Sequence, residues 1–292
     1  MRATGEMGVE IRESAASSHE RAVVTPVGRA GAPPLLQVVR TRLVGGWPGI
    51  ALLAIVFGGW ELVVQTRGIA VIYLPAPSRI FGEIFANLEF YLGHTAVTLS
   101  EAALGFAIGW AFALVAAVLM AEFRLMERAL IPLFVLVKTT PSVVLTPVLI
   151  IALGFGAGPK VVIAALTLFY ATLINAVTGF KSVDENALEV FRSVNASRLE
   201  VFFRLRLPNS LPYLFSAAKI SVPLALLGAV FAEMQNSREG LGNVIVQAGH
   251  NINMTVLWAG IYVIAILGIT LVSLVGAIEQ QLLRWHSSQS KS

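Results

Sequence analysis

Side chains able to do chemistry are scarce in this sequence, and many of them crowd into one stretch. With no cysteine, a disulfide framework, a Cys-ligated zinc site and a thiol nucleophile are all excluded. The four histidines, His19, His94, His250 and His286, are scattered, and neither H-E-x-x-H nor G-x-S-x-G occurs. "GFGAGPKV" at 154–161 is rich in glycine but lacks the G-x-x-x-x-G-K-[ST] spacing that cradles a nucleotide's phosphates. The chain therefore carries no means of hydrolysing ATP by itself. Two sets of residues remain. One is "SVDENALEVFRSVNASRLEVFFRLRLPNSLPYLF", Ser182 to Phe215, which holds Arg192, Arg198, Arg204 and Arg206 beside Asp184, Glu185, Glu189 and Glu200. The other is a handful of polar groups isolated in apolar surroundings: Glu61, Glu101, Lys138, Tyr170, Asn175, Lys219 and Glu233.

The elements that must position these groups are spans. Hydrophobic residues make up 56% of the chain and charged residues 13%, with a mean hydropathy of +0.77. Soluble domains carry roughly 25% charged residues, so the composition is that of an all-α polytopic membrane protein. Six apolar segments, at about 47–65, 95–121, 129–153, 160–177, 213–233 and 255–278, each approach the ~20 residues that cross a bilayer. Pro132, Pro141 and Pro147 interrupt the third, and Pro223 the fifth. Residues 1–46 and 281–292 read as tails, the first polar and disordered, leaving a transmembrane domain over 47–280. Of the 21 Lys and Arg residues, only Arg67, Arg79, Lys160 and Arg238 fall in loops outside if the N-terminus is cytoplasmic. That asymmetry puts both termini and the charged stretch on the cytoplasmic side. A net charge of only +4 gives no reason to expect a nucleic-acid partner.

Within the charged stretch, Ser182 with Glu185 and Ser197 with Glu200 have capping-box spacing. Two short helices are predicted, about 184–194 and 198–206. Asn195 between them suits the left-handed turn at a helix end, and Pro208 is expected to stop the second. Leu188, Phe191, Val194, Leu199, Phe202 and Phe203 recur at intervals of three or four, giving one apolar stripe. Such a hairpin either lies among lipid headgroups or docks a soluble partner.

Burying the isolated polar groups is costly, so each needs a role. Glu61 and Lys219 are placed to snorkel, and Glu101 to pair with a basic group in the bundle. Tyr170 and Asn175 either hydrogen-bond between helices or line a path, and Glu233 is a candidate gate or lining residue. Lys138 lies about nine residues into the third span, or ~14 Å at 1.5 Å per residue. There "KTTPSVVLTP" breaks the helix, with Thr139 and Pro141 beside the cation. A broken helix with a cation suits an anionic solute, the alternatives being a water-filled vestibule or pairing with Glu61 or Glu101.

The hairpin resembles the "EAA" cytoplasmic loop of the permeases of bacterial ABC importers. Glu189-Val190-Phe191 stands at the E-A-A opening, with two departures from alanine. Asn195 stands at the glycine, Leu205 at the isoleucine, and Leu207-Pro208 close the pattern. "ASRLEVFFRLRLPNSLPYLFSAAKISV", "FAEMQNSREGLGNVI", "YLPAPSRIF" and "GHTAVTLSEAALGFAIG" resemble the subgroup that imports nitrate, sulfonates, taurine and thiamine-pyrimidine precursors. The resemblance implies a coupling loop at about 182–212, with Glu189, Phe191, Asn195, Ala196, Arg198, Leu205, Leu207 and Pro208 against an ATP-binding subunit. ATP and magnesium would bind there and not in this chain. It also implies a homodimer in a bacterial inner membrane, an external solute-binding protein, and a path through Lys138, Thr139, Pro141, Tyr170, Asn175 and Glu233. The competing class is a secondary transporter or channel whose hairpin rests on lipid.

Overall fold

Every regular element among residues 35–283, which the computed structural model describes, is helical. The chain divides after Ile55 into two units. Of the first, the described part is the N-terminal portion of α1 (Leu35–Arg67), which begins upstream of the expected boundary at 47. Leu35, Val38, Val39 and Leu43 recur at helical spacing, which explains the earlier start. The rest of the expected tails, 1–34 and 284–292, lies outside the described residues.

The second unit carries the bundle. After α1 come α2 (Pro77–Ala86), α3 (Leu88–Glu122), α4 (Arg124–Thr139), α5 (Thr146–Leu153) and α6 (Ala157–Lys181). Then follow α7 (Glu185–Ser193), α8 (Arg198–Val201), α9 (Leu207–Asn236), α10 (Leu241–His250) and α11 (Met254–Leu282). Among the described residues, five helical stretches are long and apolar enough to cross a membrane: Trp47–Arg67, α3, α6, Arg198–Gln235 and α11. The expected third span, 129–153, is instead broken into α4, a 3-10 turn at Ser142–Leu145, and α5. Pro141 causes the break, because its ring disfavours helix at Thr140, which lies at φ −86°, ψ 118°. Pro147 sits in the first turn of α5, where a missing N–H leaves no hydrogen bond unmade.

Packing centres on α6, which lies against both α3 and α9. Lipid tails are as apolar as leucine, so close approach and interhelical hydrogen bonds must hold such helices together. Gly109 supplies the close approach: a Cβ there would stand 2.6 Å from the Ala165 carbonyl oxygen of α6. Gly105 and Gly228 face Ala164 in the same way. Gly154 and Gly156 serve differently, in the turn before α6, at φ +78° and +146° with open space around them. The hydrogen bonds include Thr172 Oγ1 to Ser221 Oγ, 2.7 Å and fully buried between α6 and α9.

Two elements were absent from the span-by-span reading. Amphipathic α2 starts at Pro77 and buries Ile80 and Ile84 against α11. Glu61 caps it, its Oε2 accepting from the Ser78 amide at 2.9 Å and its Oε1 from the Ser78 hydroxyl at 2.7 Å. Glu61 is thus a helix cap and not a snorkelling carboxylate. The other element, α10, packs on α9 and α11. Lys219, also expected to snorkel, is ion-paired with Glu279 of α11.

Candidate functional site

Local chemistry shapes the hairpin at the C-terminal end of α6. Asp184 caps α7, accepting the Asn186 amide at 3.0 Å. The expected cap, Ser182, instead donates to the Gly179 carbonyl at 2.8 Å and accepts from Asn209 at 2.9 Å. A carboxylate one residue from the helix start suits the positive end of its dipole better than a hydroxyl further back. At the other end Asn195 takes φ +53°, as its residue type predicts. The Ala196 amide then bonds the Phe191 carbonyl and the Asn195 amide the Arg192 carbonyl, both at 3.0 Å. That is the paired closure of a left-handed helix terminus.

Ser197 and Glu200 form a reciprocal cap: the Glu200 amide donates to Ser197 Oγ at 3.3 Å, and Glu200 Oε2 accepts the Ser197 amide at 2.9 Å. Pro208, however, does not stop the helix. A π turn at Phe202–Arg206 carries α8 straight into α9, with the Leu207 amide reaching back to the Phe202 carbonyl. Pro208 then falls in the first turn of α9, where its missing N–H is tolerated.

The expected single apolar stripe is split in two. Phe202 faces inward, 5.5 Å from the Phe180 ring and packed with Leu207 on the cluster of Met120, Leu173 and Phe180. Arg206 locks the same side, 3.0 Å from Glu122 and donating to the Ala121 carbonyl at 3.3 Å. Facing away, Val190, Val194, Leu199 and Phe203 are 61–70% exposed. Glu189, Asn195 and Arg198 are exposed as well, while Phe191, Ala196, Leu205, Leu207 and Pro208 are half-buried. The hairpin is anchored on one side and bare on the other.

At the break between α4 and α5, Lys138 Nζ lies 4.6 Å above the Tyr170 ring. Neither expected carboxylate partner reaches it, because Glu61 caps α2 and Glu101 pairs with Lys160. Thr139 Oγ1 bonds the Leu136 carbonyl at 3.0 Å, and Pro141 is extended. Ser142 and Thr167 hydroxyls meet at 3.0 Å, and Gln235 Nε2 donates to the Val143 carbonyl at 3.0 Å. The break is thereby tied to α6 and α9. Lys138, Thr139, Pro141 and Tyr170 gather there, but Asn175 and Glu233 are committed elsewhere. Asn175 donates to the Ala171 carbonyl of its own helix, 2.8 Å away. Glu233 is 1% exposed and accepts the Gly242 amide at 2.7 Å, closing the turn from α9 to α10. Thr167 and Gln235 were passed over in the sequence because a hydroxyl or amide without helical context carries no signal.

Comparisons with known proteins bear on the fold and the family. Among solved structures, the inward-facing MetNI methionine ABC transporter superposes with a TM-score of 0.54 at 18% identity, covering 69% of this chain and 96% of that one. That likeness concerns the fold. The putative aliphatic sulfonates transport permease SsuC of Bacillus subtilis is 30% identical, over 83% of this chain and 89% of its own. The riboflavin transport system permease RibX of Chloroflexus aurantiacus is 31% identical, over 83% and 92%. Residues 105–284 match the family described as the binding-protein-dependent transport system inner membrane component. The family match, with the helical bundle and its half-bare hairpin, makes the chain a permease: it belongs to the family of multi-pass inner-membrane components of ABC importers, whose ATPase is a separate subunit.

Proposed function

We propose that this permease imports a small anionic or heterocyclic solute, and that its hairpin is where a partner ATPase drives it. The observation carrying the reading is the split hairpin. Its inner side is bolted to α6 and to the end of α3 by Phe202 and Arg206. Its outer side leaves Val190, Val194, Leu199 and Phe203 uncovered between charged neighbours. A force applied to that outer face passes through a π turn directly into α9, a spanning helix. The docking residues are Glu189, Phe191, Asn195, Ala196 and Arg198, with Leu205, Leu207 and Pro208 transmitting the movement.

Two copies of the chain would form the path at a two-fold interface, both termini and the hairpin facing the cytoplasm and a solute-binding protein delivering from outside. ATP and magnesium belong to the partner, and no nucleic acid takes part. For the solute, SsuC and RibX are named for sulfonates and riboflavin, and Lys138 at the helix break supplies the cation an anionic member of such a set needs. A photo-cross-linking residue at Leu199 tests the hairpin in native membranes. It should capture a nucleotide-binding protein, whereas lipid adducts would favour a hairpin lying on the membrane surface.

A further inference from the structure

At the end of the bundle opposite the hairpin, α3, α6, α9 and α10 meet around a knot of ionisable groups that has no part in the docking or solute readings above. Glu101 of α3 is 3% exposed, and Lys160, in the first turn of α6, pairs with its Oε1 and donates to Ser237 Oγ at 3.0 Å. Glu233 of α9 is 1% exposed, and its Oε2 accepts the Gly242 amide of α10 at 2.7 Å. Around them, Thr98 Oγ1 accepts the Leu241 amide at 2.9 Å and donates its proton to the His94 carbonyl at 3.2 Å. His94 Nδ1 accepts the Gly240 amide at 3.0 Å, so that nitrogen carries no proton. Arg238 and Glu239 stand on the rim of a cleft of about 730 Å³ that Ser100, Glu101, Lys160 and Ser237 also line.

Two atoms in this knot are left over. Glu101 Oε2 and Glu233 Oε1 are buried and have no hydrogen-bonding partner if both carboxyls are ionised. Yet the two carboxyls belong to one knot: Lys160 joins Glu101 to Ser237, a turn beyond Glu233, and the adjacent Leu241 and Gly242 amides bond Thr98, a turn before Glu101, and Glu233 itself. Two ionised carboxylates buried in one knot with a single ammonium would leave an uncompensated negative charge. A single proton removes every difficulty at once: it turns one orphan oxygen into a donor, satisfies the other as acceptor, and balances the remaining charge against Lys160. We infer that Glu101 and Glu233 share one proton, and that the resulting neutral knot is a pH-sensitive latch holding α3 and α6 to the α9–α10 turn. Removing the proton leaves two like charges buried in the knot and pushes the latch apart. The inference does not depend on which solute is carried or on what docks at the hairpin.

Infrared spectroscopy of the full chain in lipid nanodiscs tests the shared proton. At neutral pH the carbonyl-stretch band of a protonated carboxylic acid should be present and should disappear as pH rises. Glu101→Gln and Glu233→Gln should each abolish it, because the remaining carboxylate is then matched by Lys160, while Glu61→Gln should leave it. Absence of the band in the wild type, or its survival in both knot variants, would overturn the shared proton. The latch is tested by spin labels at Ala157→Cys and Gln247→Cys, both exposed positions in a chain with no native cysteine. Their separation should lengthen over the pH interval in which the band is lost, and should not respond to pH in Glu233→Gln. A separation that stays fixed while the band disappears would overturn the latch.

Discussion

Lys138 is the residue on which the solute reading turns. A cation–π contact with Tyr170 at an exposed site is worth only about 0.5–1 kcal/mol, so it parks the ammonium without consuming it. If an anionic solute borrows that charge, Lys138→Gln should lower uptake in proteoliposomes by about tenfold or more, since a charged hydrogen bond contributes roughly 1.5–3 kcal/mol. Lys138→Arg keeps the charge and should retain most of the uptake; equal, normal rates for both variants would remove Lys138 from the path. Depth and the neighbouring prolines made Lys138 visible in the sequence, but its partner was not legible. Glu61 and Glu101 were equally plausible by type, and only the fold shows the first capping α2 and the second bound to Lys160. Glu233 was misleading for a similar reason, because an acid near the end of an apolar run gives no hint of a turn amide folding back onto it.

Among the elements, α6 depends on the glycines of its neighbours. Gly109→Ala places a methyl 2.6 Å from the Ala165 carbonyl oxygen and 2.9 Å from its Cα, a clash with backbone that cannot move aside. Overpacking of this kind typically costs 1–3 kcal/mol, so the variant should unfold at a distinctly lower temperature in detergent. Gly58→Ala, with nothing within 4 Å, is the matched control and should be neutral or slightly stabilising. Spans were the most legible elements, because twenty apolar residues need no partner to be recognised. The hairpin's left-handed Asn195 and its Ser197–Glu200 cap were legible too, since both follow from bonds within a few residues. The π turn and the short helices α2 and α10 were not. A π turn shares the composition of an α-helix, and amphipathic segments of ten residues resemble loops until α11 is there to pack on. For the same reason Leu207, expected to be a docking residue, could not be recognised from spacing as part of the inner cluster.

For the whole molecule, the proposed orientation follows from where Lys and Arg fall, and it places the hairpin and the Glu101–Lys160 knot on opposite sides of the membrane. Reporter fusions at Phe123 and Asn195 should read cytoplasmic, and fusions at Asn87, Ala157 and Asn243 external. An external signal at Asn195 would separate the hairpin from any cytoplasmic ATPase. The central claim is that the permease receives its energy through the bare face of that hairpin. Its most direct test is the amount of ATP-binding subunit that copurifies with the tagged chain from native membranes. Leu199→Asp and Phe203→Asp put charge on positions that are 70% and 61% exposed, so insertion and folding should be unaffected. If that face is the dock, a charge buried against a partner costs several kcal/mol, and each variant should lose roughly 90% or more of the copurifying subunit that the wild type retains. Undiminished recovery of that subunit with both variants would contradict the account.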